Sequence, residues 1–269
     1  MSAGSLASRD AVVDTVDAVL DADADGTVVG DDLFGVVAML DAEHPLRRIL
    51  TEPSVPIAAK TQLLDSLVKG KVSDATDKVL ATAVGRRWSY GRDLPDGLEY
   101  AGVVAHVAQA ESSGKLDAVE DELFRFGRIV EGSAELRDVL SNKLAPLAGK
   151  QELIAHLVGD KVTETTERLL AQAATGRQRS FAAALDSFQQ VAAARRHALI
   201  ATVRVANELS DDHRQRLAAV LEAQYGGSVH VNVIIDPDVL GGARVNIGNE
   251  VIDSTVSTRL AEARRMLAG

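Results

Sequence analysis

One stretch near the start of the chain gathers carboxylates at the spacing that calcium chemistry needs: Asp21-Ala22-Asp23-Ala24-Asp25-Gly26-Thr27-Val28-Val29-Gly30-Asp31-Asp32. Acidic side chains stand at positions 1, 3, 5 and 12 of a loop, with glycine at 6 and an apolar residue at 8, the pattern of a calcium-binding loop between two helices. Two positions depart from it. Asp32 is shorter than the Glu that grips the ion with both oxygens at the last position, and the ninth residue is Val29. The matching stretch of a second repeat described below, Glu111 to Glu122, has Ser112, Ser113 and Gly114 in place of ligands. Calcium binding and a solvated acidic connection both stay open for this segment.

Other groupings offer less. Six histidines, His44, His106, His156, His197, His213 and His230, are never closer than 16 positions, so no pair sits one helical turn apart to ligate zinc. No nucleophile elbow surrounds a serine. Gly241-Gly242 lacks the glycine-rich fingerprint that opens a helix onto a phosphate, and no P-loop lysine follows, which favours a tight turn between strands. Arg86-Arg87-Trp88-Ser89-Tyr90 alternates basic and aromatic side chains as a base-stacking surface does. Its counterpart Arg177-Gln178-Arg179-Ser180-Phe181 keeps a helix end and one aromatic, so a buried aromatic anchor is expected. These residues assign no catalytic group, cofactor site or metal centre.

The elements that position these residues are duplicated. Residues 31–90 align without gaps on residues 121–180, with 19 identities in 60 positions. Leu33-Phe34 meets Leu123-Phe124, Pro56 meets Pro146, Lys60 meets Lys150, Lys71-Val72 meets Lys161-Val162 and Thr76 meets Thr166. Prolines and Lys-Val pairs mark helix boundaries, which amphipathicity alone would not reproduce. Apolar residues recur at helical spacing, as in Leu63, Leu64, Leu67 and Val68 or Leu153, Ile154, Leu157 and Val158. Pro56 and Pro146 suit first turns, Thr76 and Thr166 lie near helix starts, and Gly70, Gly85 and Gly176 mark ends. With Leu6 to Leu20 and Pro95 to Ala110 opening the copies, two tandem helical bundles are expected, at 1–94 and 95–197.

Composition agrees with packed helices. Hydrophobic side chains make up 46% of the 269 residues while aromatics make up 3%, so the core must be built from Ala, Val and Leu. The net charge of −10, divided as −5, −3 and −2 over residues 1–94, 95–197 and 198–269, argues against nucleic acid, which needs clustered Lys and Arg. Cysteine is absent, which excludes disulfides and thiolate metal sites and makes the cytosol the default compartment. Apolar runs fall short of the roughly 18 residues that span a bilayer. Met1 to Arg9 lacks a basic region followed by an apolar run, so no secretory signal is expected.

Beyond residue 197 the period changes. His197 to Ala206 alternates as a strand, Leu209 to Tyr225 is helical and stops at Gly226-Gly227, and Val229, Val231, Val233 and Ile235 alternate with His230, Asn232 and Ile234. Ala243 to Ile247, a turn at Gly248-Asn249 and Val251-Ile252 follow. A final helix is expected from about Ser254 to Leu267, capped by Asp253 or Ser254. The order β-α-β-β-α predicts a small α+β domain at 198–269 behind the mostly α bundles.

This tail resembles the delta subunit of bacterial ATP synthase, the family of the mitochondrial oligomycin-sensitivity conferring protein. The resemblance rests on Leu240-Gly241-Gly242-Ala243-Arg244-Val245-Asn246-Ile247-Gly248, then Val251-Ile252-Asp253-Ser254-Thr255, then Arg259-Leu260. Gly241, Gly242, Gly248, Asp253, Ser254, Thr255, Arg259 and Leu260 match the family motif, in a structural role, with Thr255 where Ser is usual. Val203 to Ser210 is similar to the family's strand running into a Leu-Ser helix start, with Glu208 replacing the usual Pro and Arg204 a small polar residue. The Leu, Pro and Lys pattern from Leu46 to Lys60, repeated from Leu136 to Lys150, resembles the family's helical domain.

The family ordinarily has one such domain, so 95–197 is the family-like copy and 1–94 the extra one. The resemblance implies a non-catalytic stator subunit of a rotary proton-translocating ATP synthase. It implies that the helical domain holds N-terminal segments of alpha subunits and that the C-terminal domain holds the peripheral-stalk b subunit. It further implies peripheral membrane association through the complex, on the cytoplasmic face of the cell membrane, with no cofactor and no nucleic acid. The groove for the head is expected among the helices Leu6 to Leu20 or Leu98 to Ala110. A calcium-binding helical adaptor using Asp21 to Asp32 is the alternative.

Overall fold

Short polar side chains just ahead of the helices fix where several of them begin. In the computed structural model, which describes residues 1–197, 199–206, 209–225, 229–236, 239, 242–247 and 250–253, Ser2 caps α1 (Ala3–Asp21) by accepting from the Ser5 amide at 3.2 Å. Asp25 caps α2 (Gly26–Ala42), accepting from the amides of Thr27 and Val28 at 2.8 and 3.3 Å. α3 (His44–Thr51) has Pro45 in its first turn, and α4 (Ile57–Val68) starts directly after Pro56. Ser73 caps α5 (Asp74–Gly85) through the Thr76 amide. Gly70 takes φ +72° after α4, a conformation that costs glycine little.

α6 (Asp93–Ser112) then leads into a second series: α7 (Leu116–Gly132), α8 (Ala134–Ser141), α9 (Leu147–Val158), a single 3-10 turn at Gly159–Lys161, α10 (Glu164–Ala173) and α11 (Phe181–His197). α7, α8 and α9 begin and end ninety residues after α2, α3 and α4, and α10 begins ninety after α5. The capping repeats as well. Asp32 accepts from the Ser73 amide and the Thr76 hydroxyl at 2.8 and 2.9 Å, and Glu122 accepts from the Thr163 amide and the Thr166 hydroxyl at 2.9 and 2.6 Å. In each copy a carboxylate on the second helix thus ties down the start of the fifth, where unpaired amides and the helix dipole favour negative charge.

By position α6 opens the second copy as α1 opens the first, and it also ends the first copy as α11 ends the second. It packs against α1, α2 and α5 on the one hand and α7 and α10 on the other. The expected division between residues 94 and 95 falls between the second and third residues of this shared helix. One hydrophobic cluster accordingly runs from Val12 to Ala192. Contacts divide the chain into Met1–Ala193 and Ala194–Gly269.

The second unit contains β1 (Leu199–Val205), α12 (Asp211–Tyr225), β2 (Val229–Ile235), β3 (Ala243–Ile247) and β4 (Glu250–Asp253). Its sheet order is β2-β1-β3-β4. β1 and β2 are parallel, with α12 as the crossover that parallel pairing requires, while β3 is antiparallel to both β1 and β4. Val203, Val205, Leu221, Val229 and Val245 form its core. Ile235, expected on the buried face of β2, is 57% exposed at the strand's end. The helix expected from Ser254 to Leu267 lies outside the described residues. The architecture is mostly α with a small α+β unit.

Candidate docking site

The two helices expected to flank a docking groove have opposite environments. Of the 20 residues of α6, 15 are buried, including Leu98, Ala101, Val104, Ala105 and Ala108. The groove expected at Leu98 to Ala110 is therefore closed, because both repeats need this helix to complete their cores. Its sequence held the signal: from Leu94 to Ala110 apolar side chains lie all round the helix, which marks a buried helix rather than an amphipathic one. α1 is different. Val12, Val16 and Val19 face the core, while Leu6, Ala7, Asp10, Asp14 and Ala18 are exposed. The hydroxyls of Thr15 on α1 and Thr82 on α5 lie 3.2 Å apart. Ala11 and Ala18 stand about one turn to either side of Thr15, as Lys78 and Gly85 do of Thr82.

Glycines let α2 and α6 approach closely. A Cβ on Gly30 would lie 2.5 Å from the His106 ring, and one on Gly102 would lie 2.6 Å from the Phe34 ring. Ninety residues on, Glu120 and Ala192 stand at these places, so this crossing belongs to the first copy alone. His106 is fully buried, with Nε2 3.4 Å from Asp31, and Asp31 also meets Arg168 of α10 at 2.9 Å.

A second polar cluster joins the copies through Arg177, whose side chain is 6% exposed. Its guanidinium pairs with Asp41 of α2 and Asp96 of α6, and its Nε lies 3.2 Å from Glu99 Oε1. Gln172 donates to the same Glu99 oxygen at 2.6 Å. Burial pushes Glu99 up to about 7, with the neighbouring Asp96 charge adding and the Gln172 hydrogen bond and Arg92 opposing. Burial also lowers Arg177 to about 10. Glu99 therefore changes charge near neutral pH.

In the C-terminal unit, Gly242 takes φ +82° just before β3, and Asp253 ends β4. Gly241, Gly248, Ser254, Thr255, Arg259 and Leu260 lie outside the described residues. A model of the family described as ATP synthase delta (OSCP) subunit matches residues 98–267, more than half of the chain. The chain belongs to this family. It is 44% identical over 266 residues to the ATP synthase subunit delta of Kineococcus radiotolerans, covering 98% of this chain and 96% of that one. To the subunit of the same name in Streptomyces coelicolor it is 42% identical over 273 residues, covering all of both chains. Thermobifida fusca supplies another full-length relative of that name, at 42% over 270 residues. The similarity to these relatives thus includes the first ninety residues.

As a member of the delta family the chain is a structural subunit of ATP synthase, a stator element rather than a catalyst. No helix among its described residues is long and apolar enough to cross a membrane. The calcium-loop reading of this delta chain is corrected by its secondary structure. α1 runs to Asp21 and α2 starts at Gly26, so only Ala22 to Asp25 connects them. Asp25 caps α2, and Asp32, on the helix itself, bonds Ser73 and Thr76. Among the described residues no group of three His, Asp or Glu side chains is placed to hold a metal ion. Sequence spacing missed this because a loop pattern says nothing of residues already claimed as helix caps. Trp88 is buried and donates from Nε1 to Ala83 O at 2.9 Å, and Phe181 is buried against Phe126, as expected of aromatic anchors; Tyr90 is 69% exposed.

Proposed function

We propose that this delta subunit links the catalytic head to the peripheral stalk: the surface formed by α1 and α5 takes N-terminal segments of alpha subunits, and the C-terminal unit takes the b subunit. The observation that carries the first contact is that α1 keeps an open face while α6, its counterpart in the second copy, has none. Small side chains beside the Thr15–Thr82 contact leave room for an amphipathic helix to lie across the pair. In this reading the first copy, extra in number, does the family's docking work, and the second carries the load on to the C-terminal unit. A static link must resist torque through buried area, and two bundles built on one shared helix suit that task. Gly241, Gly242, Gly248, Asp253, Ser254, Thr255, Arg259 and Leu260 serve to shape the C-terminal unit that meets b. The subunit lies peripherally on the cytoplasmic face of the membrane, held there by the complex.

The test is binding of an isolated alpha-beta head to the full-length chain carrying Thr15→Trp, which fills the surface between α1 and α5, beside binding of a soluble b segment. The expected result is loss of the head with b retained. Unchanged head binding by a folded Thr15→Trp chain would overturn the assignment to α1 and α5.

A further inference from the structure

The corner built by α3 carries a pair of adjoining clefts lined by no residue of α1 or α5, the helices proposed above for the head. One, of about 470 Å³, runs between α3 and the segment Trp88–Arg92; the other, of about 630 Å³, runs along α3 to Val55. Both are of the size that takes side chains or small ligands. His44, Arg48 and Glu52 line both. Ile49 offers an apolar surface that is 43% exposed. Arg48 is exposed and has no carboxylate partner among the described residues, and Arg92, 60% exposed, adds a second cation with Asp96 at 3.5 Å. Among the side chains lining the two clefts Glu52 is the one carboxylate, against Arg47, Arg48 and Arg92, of which Arg47 is paired with Asp41 and Arg92 with Asp96 outside the clefts, each at 3.5 Å. In a segment of net charge −5 this is a local reversal of sign.

The second repeat supplies the comparison. Val139, the counterpart of Ile49, is 44% exposed, so the apolar anchor is presented twice to the same degree. The charges around it are not repeated: His44, Pro45 and Arg48 become Ala134, Glu135 and Asp138. Geometry common to both copies thus carries opposite charge in each, and core packing does not explain a difference among exposed residues.

We infer that the α3 corner of the first copy is a docking surface for an acidic segment of another subunit, one in which carboxylates flank an apolar side chain. The apolar side chain enters beside Ile49 and Val55, and the carboxylates meet Arg48 and Arg92. Charge complementarity sets the choice of partner and excludes the α8 corner, where Glu135 and Asp138 repel the same segment. A membrane surface is disfavoured because lipid headgroups are held by clusters of four to eight Lys or Arg, and Arg48 and Arg92 in a concave corner do not make one.

The experiment places a photo-cross-linking amino acid at position 49 of the full-length subunit in assembled synthase membranes, with a second version at position 6 on α1. Expected is an adduct to a segment of another subunit bearing carboxylates within about one helical turn of the cross-linked residue. The yield should fall about tenfold in the Arg48→Glu, Arg92→Glu chain and recover with Lys at both places, as loss and return of charge pairing require. An adduct to lipid, to a second copy of this chain or to a segment without carboxylates overturns the inference. So does an unchanged yield in the charge-reversed chain, or no adduct at position 49. Cross-linking at position 6 reports on the α1 contact separately, so failure of one assignment is distinguishable from failure of the other.

Discussion

Asp32 accepts a hydrogen bond from the hydroxyl of Thr76 at 2.9 Å, across a sequence separation of 44 residues, and so locks the middle of α2 to the first turn of α5. Glu122 and Thr166 repeat the contact at 2.6 Å in the second copy. Replacing Asp32 by Ala removes an acceptor for one amide and one hydroxyl, a loss of about 2 kcal/mol in urea unfolding. Because the carboxylate is already used in this way, calorimetric titration of the wild-type chain with millimolar calcium should give no binding heat. A saturable heat abolished by Asp32→Ala would show the capping account to be incomplete.

Two glycines on the same helix should respond to alanine with opposite signs. Gly35 meets nothing within 4 Å of an added Cβ, so Gly35→Ala should stabilise by about 0.5–1 kcal/mol through helix propensity. Gly30→Ala gains the same propensity but drives its methyl to within 2.5 Å of the His106 ring, and repacking should leave a net cost of about 1–3 kcal/mol. Thermal unfolding of the two variants side by side decides it, and equal shifts would mean that α2 and α6 do not cross this closely.

Glu99 should make stability depend on pH. Its folded-state pKa of about 7 is raised from 4.5, so the folded chain holds a proton that the unfolded chain has lost. The resulting contribution is fully present below pH 4.5 and is lost as pH rises through about 7, on the order of 2–3 kcal/mol over that window. Urea midpoints of the wild type should therefore fall from pH 5 to pH 8 more than those of Glu99→Gln, which has no proton to lose. Parallel profiles would refute the assignment.

Trp88 is the sole tryptophan and lies against Gly97, with its ring atoms 2.5 Å from where a Cβ would stand. Its emission should be blue-shifted in the native chain and should move to the red as α5 and α6 separate in denaturant. Trp88→Phe removes the indole donor to Ala83 O, which keeps only the longer bond from the Arg86 amide at 3.3 Å, and opens space over Gly97, for a cost of about 2 kcal/mol. A native emission like that of free tryptophan would contradict the burial.

Much of the scaffold was legible in the residues themselves. The identities between 31–90 and 121–180 gave both sets of helices in register because Pro56, Ser73 and their counterparts act locally, on their own turns. Period-two alternation likewise found β1, β2 and β3. The docking surface was legible only to a choice of two helices. Amphipathic spacing shows that a face must be buried, not what buries it, and α6 is covered by partners as far away in sequence as α1 and α10. The α3 corner was not legible at all, since Arg48 and Arg92 are distant in sequence and meet around a cleft only after the helices pack.

The sequence alone thus determined the repeat, the helix boundaries, the change to a mixed sheet after residue 197 and the family resemblance, because caps, periods and motifs act over a few residues. Tertiary structure decided that one helix serves both copies, that Asp32 is a cap and not a calcium ligand, and which repeat keeps an open first helix. Those outcomes depend on which apolar faces find each other across the chain, and burial, unlike helix formation, is a property of the partners as much as of the segment.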